Sequence, residues 1–282
     1  MRVRKLAVAA LIVAVAGCAG AQAPTPVPDR FPAVQGHLVI AGGGQLGPEI
    51  VERFLELAGG PNAPIVVIPT AGEDSTYPAD WAGLALFKRS GATQLVVRHT
   101  RDRAVAESDS FVAVLRTARG VWFPGGRQWR LVDAYAGTKT ERELHALLER
   151  GGVIGGTSAG ASIQASYMVR GAREGNTIMM APGYERGFGF IRGVAVDQHV
   201  SARNRQLDLQ QVVQRYPDLL GLGLDEGTAI VVSGTRAEVV GRGKLFVHNG
   251  HDPVTDTPYS VLLPGETLDL STRRKVTAAA EH

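Results

Sequence analysis

The sequence predicts an α/β fold: a doubly wound, mostly parallel sheet flanked by helices. Short apolar runs rich in β-branched residues alternate with segments of helical periodicity. This order favours a parallel sheet, because a crossover helix must bring each strand back beside the previous one. The carboxy-terminal part has short strands separated by Gly, Asn and Asp turns, which indicates antiparallel edge strands on the same sheet.

The predicted elements follow one another along the chain. The buried strands are expected at His37–Ala41, Ile65–Pro69, Gln94–Val97, Val121–Phe123 and Val153–Gly155. The helices between them are expected at Pro48–Ala58, Pro78–Arg89, Ser108–Thr117, Gln128–Ala136 and Thr140–Arg150. The late strands are expected at Ile230–Val232, Glu238–Val240, Lys244–Val247 and Ser260–Leu263.

The amino-terminal residues 1–17 have the pattern of a secretory signal peptide. Three basic residues precede the apolar run Leu6–Val15, which is too short to span a bilayer as a stable helix. The run ends at Val15-Ala16-Gly17-Cys18, which is similar to a bacterial lipobox and predicts lipidation of Cys18. We therefore expect an exported, membrane-anchored lipoprotein, and Ala19 after the cysteine favours the outer membrane of a Gram-negative cell.

The rest of the chain divides into three predicted segments. Residues 18–36 are rich in Ala and Pro, which is typical of a stiff tether between a lipid and a domain. Residues 37–270 form the predicted catalytic domain, and residues 271–282 form a tail. No disulfide can form within the chain because Cys18 is its only cysteine, and a domain of this size can bury a full core without one.

The charge balance argues against nucleic acid as a partner. The net charge of +3 comes from 30 basic and 27 acidic residues. The predicted leader holds three of the basic residues and none of the acidic ones, so the excess disappears on cleavage. No block of like charges remains that would bind a polyanion.

Small residues surround Ser158 in the strongest local motif. The apolar strand Val153–Gly155 leads into Gly156-Thr157-Ser158-Ala159-Gly160, and a helix of small residues follows. Gly-x-Ser-x-Gly between a strand and a helix predicts a nucleophile elbow, and the first N–H groups of the helix can stabilise an oxyanion. The alternative interpretation is a Gly-rich turn with a capping serine.

A second Gly-rich turn, Phe123-Pro124-Gly125-Gly126-Arg127-Gln128, also follows an apolar strand and begins a helix. Alone it would indicate only a turn. Both turns are expected at the carboxyl edge of a parallel sheet, where such folds bind ligands, so its N–H groups could complete an oxyanion hole.

A serine nucleophile needs a base, which is usually an imidazole held by a carboxylate. His199 ends the short apolar strand that starts at Val194, and the loop Asp225-Glu226-Gly227 ends the apolar run Leu220–Leu224. Together with Ser158 they give the order serine, histidine, acid. The positions of His37, His145 and His282 have structural explanations, whereas His99, at a strand end, stays a candidate for the base.

Four segments together resemble the cyanophycinase family over residues 37–250. They are Phe123–Gln128, Gly155–Ala161, Asp197-Gln198-His199 with Arg203 and Arg205 downstream, and Leu224–Ala229. The family has a fold similar to class I glutamine amidotransferases and dipeptidase E. Its members hydrolyse multi-L-arginyl-poly-L-aspartate to β-Asp-Arg dipeptides.

The resemblance implies a role for each matching residue. Ser158 is the expected nucleophile, His199 the base and Glu226 the orienting acid, while Gly126 and Ala159 would supply the oxyanion N–H groups. The expected substrate-binding residues are Gln128, Asp197, Gln198, Arg203 and Arg205. The resemblance requires no cofactor and no metal, and because family members are commonly dimers, a homodimer is the expected assembly.

Three positions depart from the family pattern. Arg127 stands where Asn is expected, Val200 replaces an aromatic residue after the histidine, and Asp208 replaces a third arginine. Exchanging a cation for an anion beside the substrate would alter recognition of an acidic backbone. The departures bear on the choice of substrate rather than on hydrolysis.

Three other functions stay open at this point. An α/β-hydrolase-type esterase would use Ser158, then Asp225 or Glu226, then His248 or His251. A dipeptidase E-like enzyme would release Asp from short peptides. A non-catalytic lipoprotein would only hold a peptide in the same pocket.

Overall fold

The computed structural model describes residues 31–252 and 257–277. The strands are β1 (Val34–Ala41), β2 (Ile65–Val67), β3 (Leu95–Val97), β4 (Gly120–Phe123), β5 (Val153–Thr157), β6 (Ala165–Tyr167), β7 (Ile191–Gln198), β8 (Leu220–Leu224), β9 (Thr228–Gly234), β10 (Arg236–Gly241), β11 (Leu245–Asn249), β12 (Ser260–Leu262), β13 (Thr267–Asp269) and β14 (Arg274–Lys275). The α-helices are α1 (Pro48–Ala58), α2 (Ala85–Arg89), α3 (Arg103–Ala106), α4 (Asp109–Thr117), α5 (Gln128–Tyr135), α6 (Lys139–Glu149), α7 (Ala159–Ser162) and α8 (Asp208–Arg215).

The main sheet has the strand order β14-β13-β10-β9-β1-β5-β4-β2-β3 in the described part of the chain. The strands from β1 to β3 in this order are parallel, and β9 continues the sheet antiparallel to β1. The carboxyl ends of β1, β4 and β5 therefore meet at one edge. The predicted α/β class, with helix-flanked parallel strands and antiparallel carboxy-terminal strands, is confirmed.

A second sheet, with the order β12-β11-β8-β7-β6, corrects one expectation. The strands predicted at Lys244–Val247 and Ser260–Leu263 do not join the main sheet; β11 pairs with β8, and β12 pairs with β11. An apolar strand can pair with any free edge, so its local pattern does not specify the sheet. The long-range pairing of β7 with β8 creates the edge that β11 uses.

Two apolar layers cover the faces of the main sheet. One contains α1 packed on β1, β4 and β5, with Phe54 and Trp122 in edge-to-face contact at 5.0 Å between ring centroids. The other lies between the main sheet, the helices α4 to α6 and the second sheet, and it includes Ile154, Val196 and Leu222. The second sheet is therefore packed against the first through a shared core.

Helix α1 shows how local sequence sets an element. Pro48 occupies the first turn, where its missing N–H costs nothing, and Gly59 ends the helix at a φ of 106°. Ile50, Phe54 and Ala58 recur at helical spacing on the buried face. The helix predicted at Pro78–Arg89 is shorter, since only Ala85–Arg89 is α-helical.

The predicted signal peptide, Cys18 and residues 19–30 of the tether lie outside the described residues, as do residues 278–282 of the tail. Strand β1 begins at Val34 and β14 lies after residue 270, so the main sheet includes residues on both sides of the predicted catalytic domain. In the described part of the chain, no helix combines the length and the apolar character needed to cross a bilayer.

Candidate active site

Ser158 lies on a sharp turn between β5 and α7. Its backbone has φ 55° and ψ −113°, a combination that a residue with a side chain rarely adopts. The flanking glycines make the turn possible: a Cβ on Gly160 would lie 1.9 Å from the carbonyl oxygen of Phe123, and one on Gly156 would lie 2.3 Å from that of Gly160. This is the geometry of the predicted nucleophile elbow.

The structure brings Ser158, His199 and Glu226 into one hydrogen-bonded chain. Ser158 Oγ lies 2.9 Å from Nε2 of His199, and Nδ1 of the same ring lies 2.5 Å from Oε1 of Glu226. With the proton on Nδ1, the ring donates to the carboxylate and accepts from the serine hydroxyl. In this tautomer His199 can remove the hydroxyl proton.

The three side chains come from both sheets, because Ser158 follows β5, His199 follows β7 and Glu226 follows β8. The Gly42–Gly44 segment after β1 links them. The His199 N–H donates to the Gly42 carbonyl at 2.8 Å, and the Gly227 N–H donates to the Gly43 carbonyl at 2.9 Å. These two hydrogen bonds connect the main sheet to the second sheet at the site.

The linking segment 42–44 requires glycine, and the sequence analysis did not predict this requirement. A Cβ on Gly43, at φ 107°, would lie 2.3 Å from Cε1 of His199, and one on Gly44 would lie 2.7 Å from Oε2 of Glu226. Three consecutive glycines directly after a strand were the available signal. Their function here is to let the backbone pass beside the imidazole.

Asp225 and Glu226 have different roles, although the sequence offered both as the acid. Asp225 is buried, and its carboxylate accepts hydrogen bonds from the N–H groups of Ser201 at 2.8 Å and Lys244 at 3.1 Å. It therefore fixes the loops around His199. The neighbouring Glu226 contacts the imidazole.

Burial lowers the pKa of His199 from its ordinary value of 6.5. The hydrogen bond to Glu226 opposes this shift, and the positive charge of Arg203 adds to it. The lowered pKa keeps the imidazole neutral at physiological pH. A neutral imidazole is the form that can accept a proton.

Two backbone N–H groups beside Ser158 are free to bind an oxyanion. Those of Gly126 and Ala159 donate to no acceptor among the described residues. The Gly125 turn packs against the serine, since a Cβ there would lie 3.3 Å from Ser158 Cβ. Gly126 has a φ of 142°, which presents its peptide in a conformation that other residues rarely adopt.

The predicted substrate-binding residues divide into buried and exposed groups. Gln128, Gln198 and Arg205 are buried: the Gln128 amide donates to the Val169 carbonyl at 2.8 Å, and Arg205 donates to the Gln198 carbonyl at 3.1 Å. Arg203 is exposed, and its guanidinium has no ion-pair partner in the described chain. Arg203 is therefore the cation in this set that is available to a ligand.

Asp197 lies in a buried ion-pair cluster centred on Arg170, a residue that the sequence reasoning did not consider. The Arg170 guanidinium binds both Asp197 oxygens, at 2.7 and 2.8 Å, and also binds Asp208 at 2.5 Å. Arg205 lies 3.7 Å from Asp197. Asp208, the departure from the family pattern, thus shares the Arg170 cation with Asp197.

The other candidate histidines do not pair with Ser158. His248 is buried in β11, where desolvation lowers its pKa to about 4. His251 is exposed and lies 3.6 Å from Asp218. His99 shares a hydrogen bond with Thr70 at 2.9 Å. The geometry therefore favours the serine, histidine, acid order over the α/β-hydrolase order.

Comparison with known proteins identifies the family. Residues 38–240 match the model of peptidase family S51. This chain belongs to peptidase family S51. The match covers the strands that carry the three site residues, from β1 to β10.

Curated relatives carry the name cyanophycinase. The chain is 33% identical over 207 residues to the protein from Geminocystis herdmanii, covering 72% of this chain and 76% of that one. It is 34% identical over 211 residues to the protein from a Nostoc species, covering 71% and 68%. The resemblance found in the sequence is confirmed, and the chain is a cyanophycinase-like serine peptidase.

Solved structures support the fold assignment. A peptidase from an acI-B1 Actinobacterium superposes with a TM-score of 0.66 at 24% identity, covering 85% of this chain and 98% of that chain. A protein provisionally named peptidase E from Listeria monocytogenes gives 0.53 at 18% identity, covering 74% and 99%. The fold is that of S51 peptidases, which is glutamine amidotransferase-like.

Proposed function

We propose that this peptidase hydrolyses multi-L-arginyl-poly-L-aspartate to β-Asp-Arg dipeptides, with Ser158 as the nucleophile. The observation that carries the proposal is the hydrogen-bonded chain from Ser158 through His199 to Glu226. The identity to proteins named cyanophycinase supports the substrate class.

The geometry supports a two-step acyl-enzyme mechanism. Ser158 Oγ attacks the scissile carbonyl while its proton passes to Nε2 of His199, and Glu226 stabilises the resulting imidazolium. The N–H groups of Gly126 and Ala159 bind the developing oxyanion. The imidazolium then protonates the leaving amine, and an ester to Ser158 remains. Water, deprotonated by the same imidazole, hydrolyses this ester and restores the hydroxyl.

Arg203 supplies the charge for substrate recognition. Its free guanidinium suits a carboxylate of the arginyl-aspartate chain, because guanidinium and carboxylate form paired hydrogen bonds. Gln128, Asp197, Gln198 and Arg205 are buried, and we assign them to the substrate-binding site as support for the exposed groups.

Three variants test the assignment. Ser158→Ala abolishes both cleavage and labelling by a fluorophosphonate probe, whereas a binding protein would never be labelled. His199→Ala removes the base and lowers kcat by about 10²–10⁴-fold. The matched control is His251→Ala, which retains activity. Loss of turnover in His251→Ala with retention in His199→Ala would overturn the proposed mechanism.

A dipeptidase that releases Asp from short α-linked peptides is the second candidate. Asp208 favours it, because the family pattern has an arginine at this position and the chain therefore lacks one cation that would attract a substrate with many carboxylates. Product analysis decides between the two: dipeptides released from the polymer support the first function, and cleavage of Asp-X dipeptides alone supports the second.

We also propose that the enzyme is exported and anchored through a lipid on Cys18, where it would cut a polymer too large to be imported. The leader pattern and the Cys18 motif support this proposal. Incorporation of labelled palmitate, lost in Cys18→Ser, is the expected result. A homodimer remains the expected assembly, and sedimentation analysis measures it.

A further inference from the structure

A cavity of about 580 Å³ lies at the carboxyl end of β3, apart from the Ser158 site. Tyr77, Arg98, His99, Arg101 and Phe111 contribute to its wall, and the proposed catalytic residues do not. Its volume falls within the range of small-ligand sites, about 300–1,000 Å³. The cavity is therefore large enough to hold one unit of a larger substrate.

The cavity has an excess of positive charge. Within residues 31–252 and 257–277, neither Arg98 nor Arg101 forms an ion pair with a carboxylate. Arg98 makes one weak contact, from Nη1 to the Val97 carbonyl at 3.4 Å. The carboxylate of Asp102 is engaged elsewhere and accepts the Ala104 N–H at 2.8 Å. Unpaired guanidinium groups in a concave site favour a carboxylate ligand.

Hydrogen bonds hold two residues of the cavity wall, His99 and Arg101, in place before any ligand binds. The Nδ1 atom of His99 lies 2.9 Å from the Thr70 hydroxyl, and its Nε2 lies 3.1 Å from the Ser75 carbonyl. Nη2 of Arg101 donates to the carbonyls of residues 72, 73 and 74 at 2.9 to 3.0 Å. A preorganised wall reduces the entropy lost on binding.

The cavity and Ser158 share one edge of the main sheet. Strand β3 is three positions from β5 in the sheet, which corresponds to about 14 Å at the usual strand spacing. Between them lies the segment 71–77: a Cβ on Gly126 would lie 2.8 Å from Gly72 N, and Tyr77 lines the cavity. About four residues of extended chain span this distance, at about 3.3 Å each.

We propose that this cavity is a distal subsite that binds a carboxylate of an extended substrate several units away from the scissile bond. The inference rests on the proposed function. In arginyl-aspartate chains each arginine is joined through its α-amine and keeps a free carboxylate, so a carboxylate recurs along the chain. A chain of two units cannot reach both sites, whereas a chain of six units can.

Binding to the Ser158→Ala protein tests the subsite without cleavage, using arginyl-aspartate oligomers of two and six units and isothermal titration. The six-unit oligomer binds about tenfold more tightly than the two-unit oligomer, as one charge-assisted contact provides. When Arg98→Glu, or the milder Arg98→Met, is added to the Ser158→Ala protein, the preference for the six-unit oligomer is lost. The control Arg89→Glu makes the same charge change on an exposed residue outside the cavity and keeps the preference.

Equal affinity for both oligomers, a preference that survives Arg98→Glu, or an equal loss in Arg89→Glu would overturn the subsite. Cleavage by the protein with native Ser158 is measured separately. A protein that binds the six-unit oligomer preferentially but cleaves neither oligomer refutes the proposed function and leaves the subsite supported.

Discussion

Replacing Gly43 with alanine tests whether the catalytic geometry depends on the glycine segment that joins the two sheets. The new Cβ would lie 2.3 Å from Cε1 and 2.6 Å from Nε2 of His199. Carbon atoms normally approach to about 3.5 Å, so the ring must retreat by about 1 Å. The distance from Nε2 to Ser158 Oγ, now 2.9 Å, then exceeds hydrogen-bond range.

Misplacing the base in this way removes most of its contribution to catalysis. We expect kcat to fall by about 10²–10⁴-fold, which corresponds to about 3–5 kcal/mol of transition-state stabilisation. Steady-state hydrolysis of the arginyl-aspartate polymer measures the loss. The rate of labelling by a fluorophosphonate should fall in parallel, because both reactions use the activated hydroxyl.

Gly59→Ala is the matched control for Gly43→Ala. Gly59 has nearly the same φ, 106° against 107°, but a Cβ there meets nothing within 4 Å. Both variants pay a similar cost for the positive φ, about 1–2 kcal/mol in stability, and only one displaces the imidazole. Equal activity of the two folded variants would show that the glycine segment does not position His199.

Four further predictions concern the charged groups of the site and of the cluster around Arg170. Glu226→Gln lowers kcat by about 10²–10⁴-fold, because the glutamine amide can donate a hydrogen bond to Nδ1 of His199 and so favour the tautomer with its proton on Nε2. In that tautomer Nε2 cannot accept the proton of the Ser158 hydroxyl. A retained rate would exclude the orienting role of Glu226. The kcat/KM profile loses activity as the pH falls through the lowered pKa of His199, so its acid limb lies below pH 6.5. Arg203→Met removes a cation that lowers this pKa, so the acid limb moves to higher pH, and an unmoved or lowered limb contradicts the assignment. Arg170→Met leaves Asp197 buried with a weaker partner and lowers the free energy of unfolding by about 3–5 kcal/mol in urea titrations, whereas a loss below 1 kcal/mol would show that the cluster is not structural.

The ion pair between the buried Arg170 and the partly exposed Asp208 gives one departure from the family pattern a structural role. The sequence alone suggested an anion placed beside the substrate. In the structure Asp208 accepts a hydrogen bond from Arg170, so its negative charge is paired with a guanidinium although its side chain is 37% exposed. Arg203 and the distal arginines then carry the recognition of carboxylates that we propose.

Local patterns in the sequence determined the parallel part of the sheet and the elbow at Ser158, and they made His199 a candidate to pair with it. Strand periodicity and a glycine-flanked serine act over a few neighbouring residues, so they are visible in the chain itself. The resemblance then supplied Glu226, which the local pattern could not separate from Asp225.

Only the tertiary structure decided which partner each group meets. The role of Asp225 in holding the loops around His199, the position of β11 in a second sheet, and the cluster around Arg170 depend on residues far apart in the chain. The need for glycine at position 43 also depends on a distant residue, because it arises from the His199 ring that lies against Gly43. Such contacts form when distant strands pair, and pairing depends on the packing of the whole core rather than on neighbouring residues.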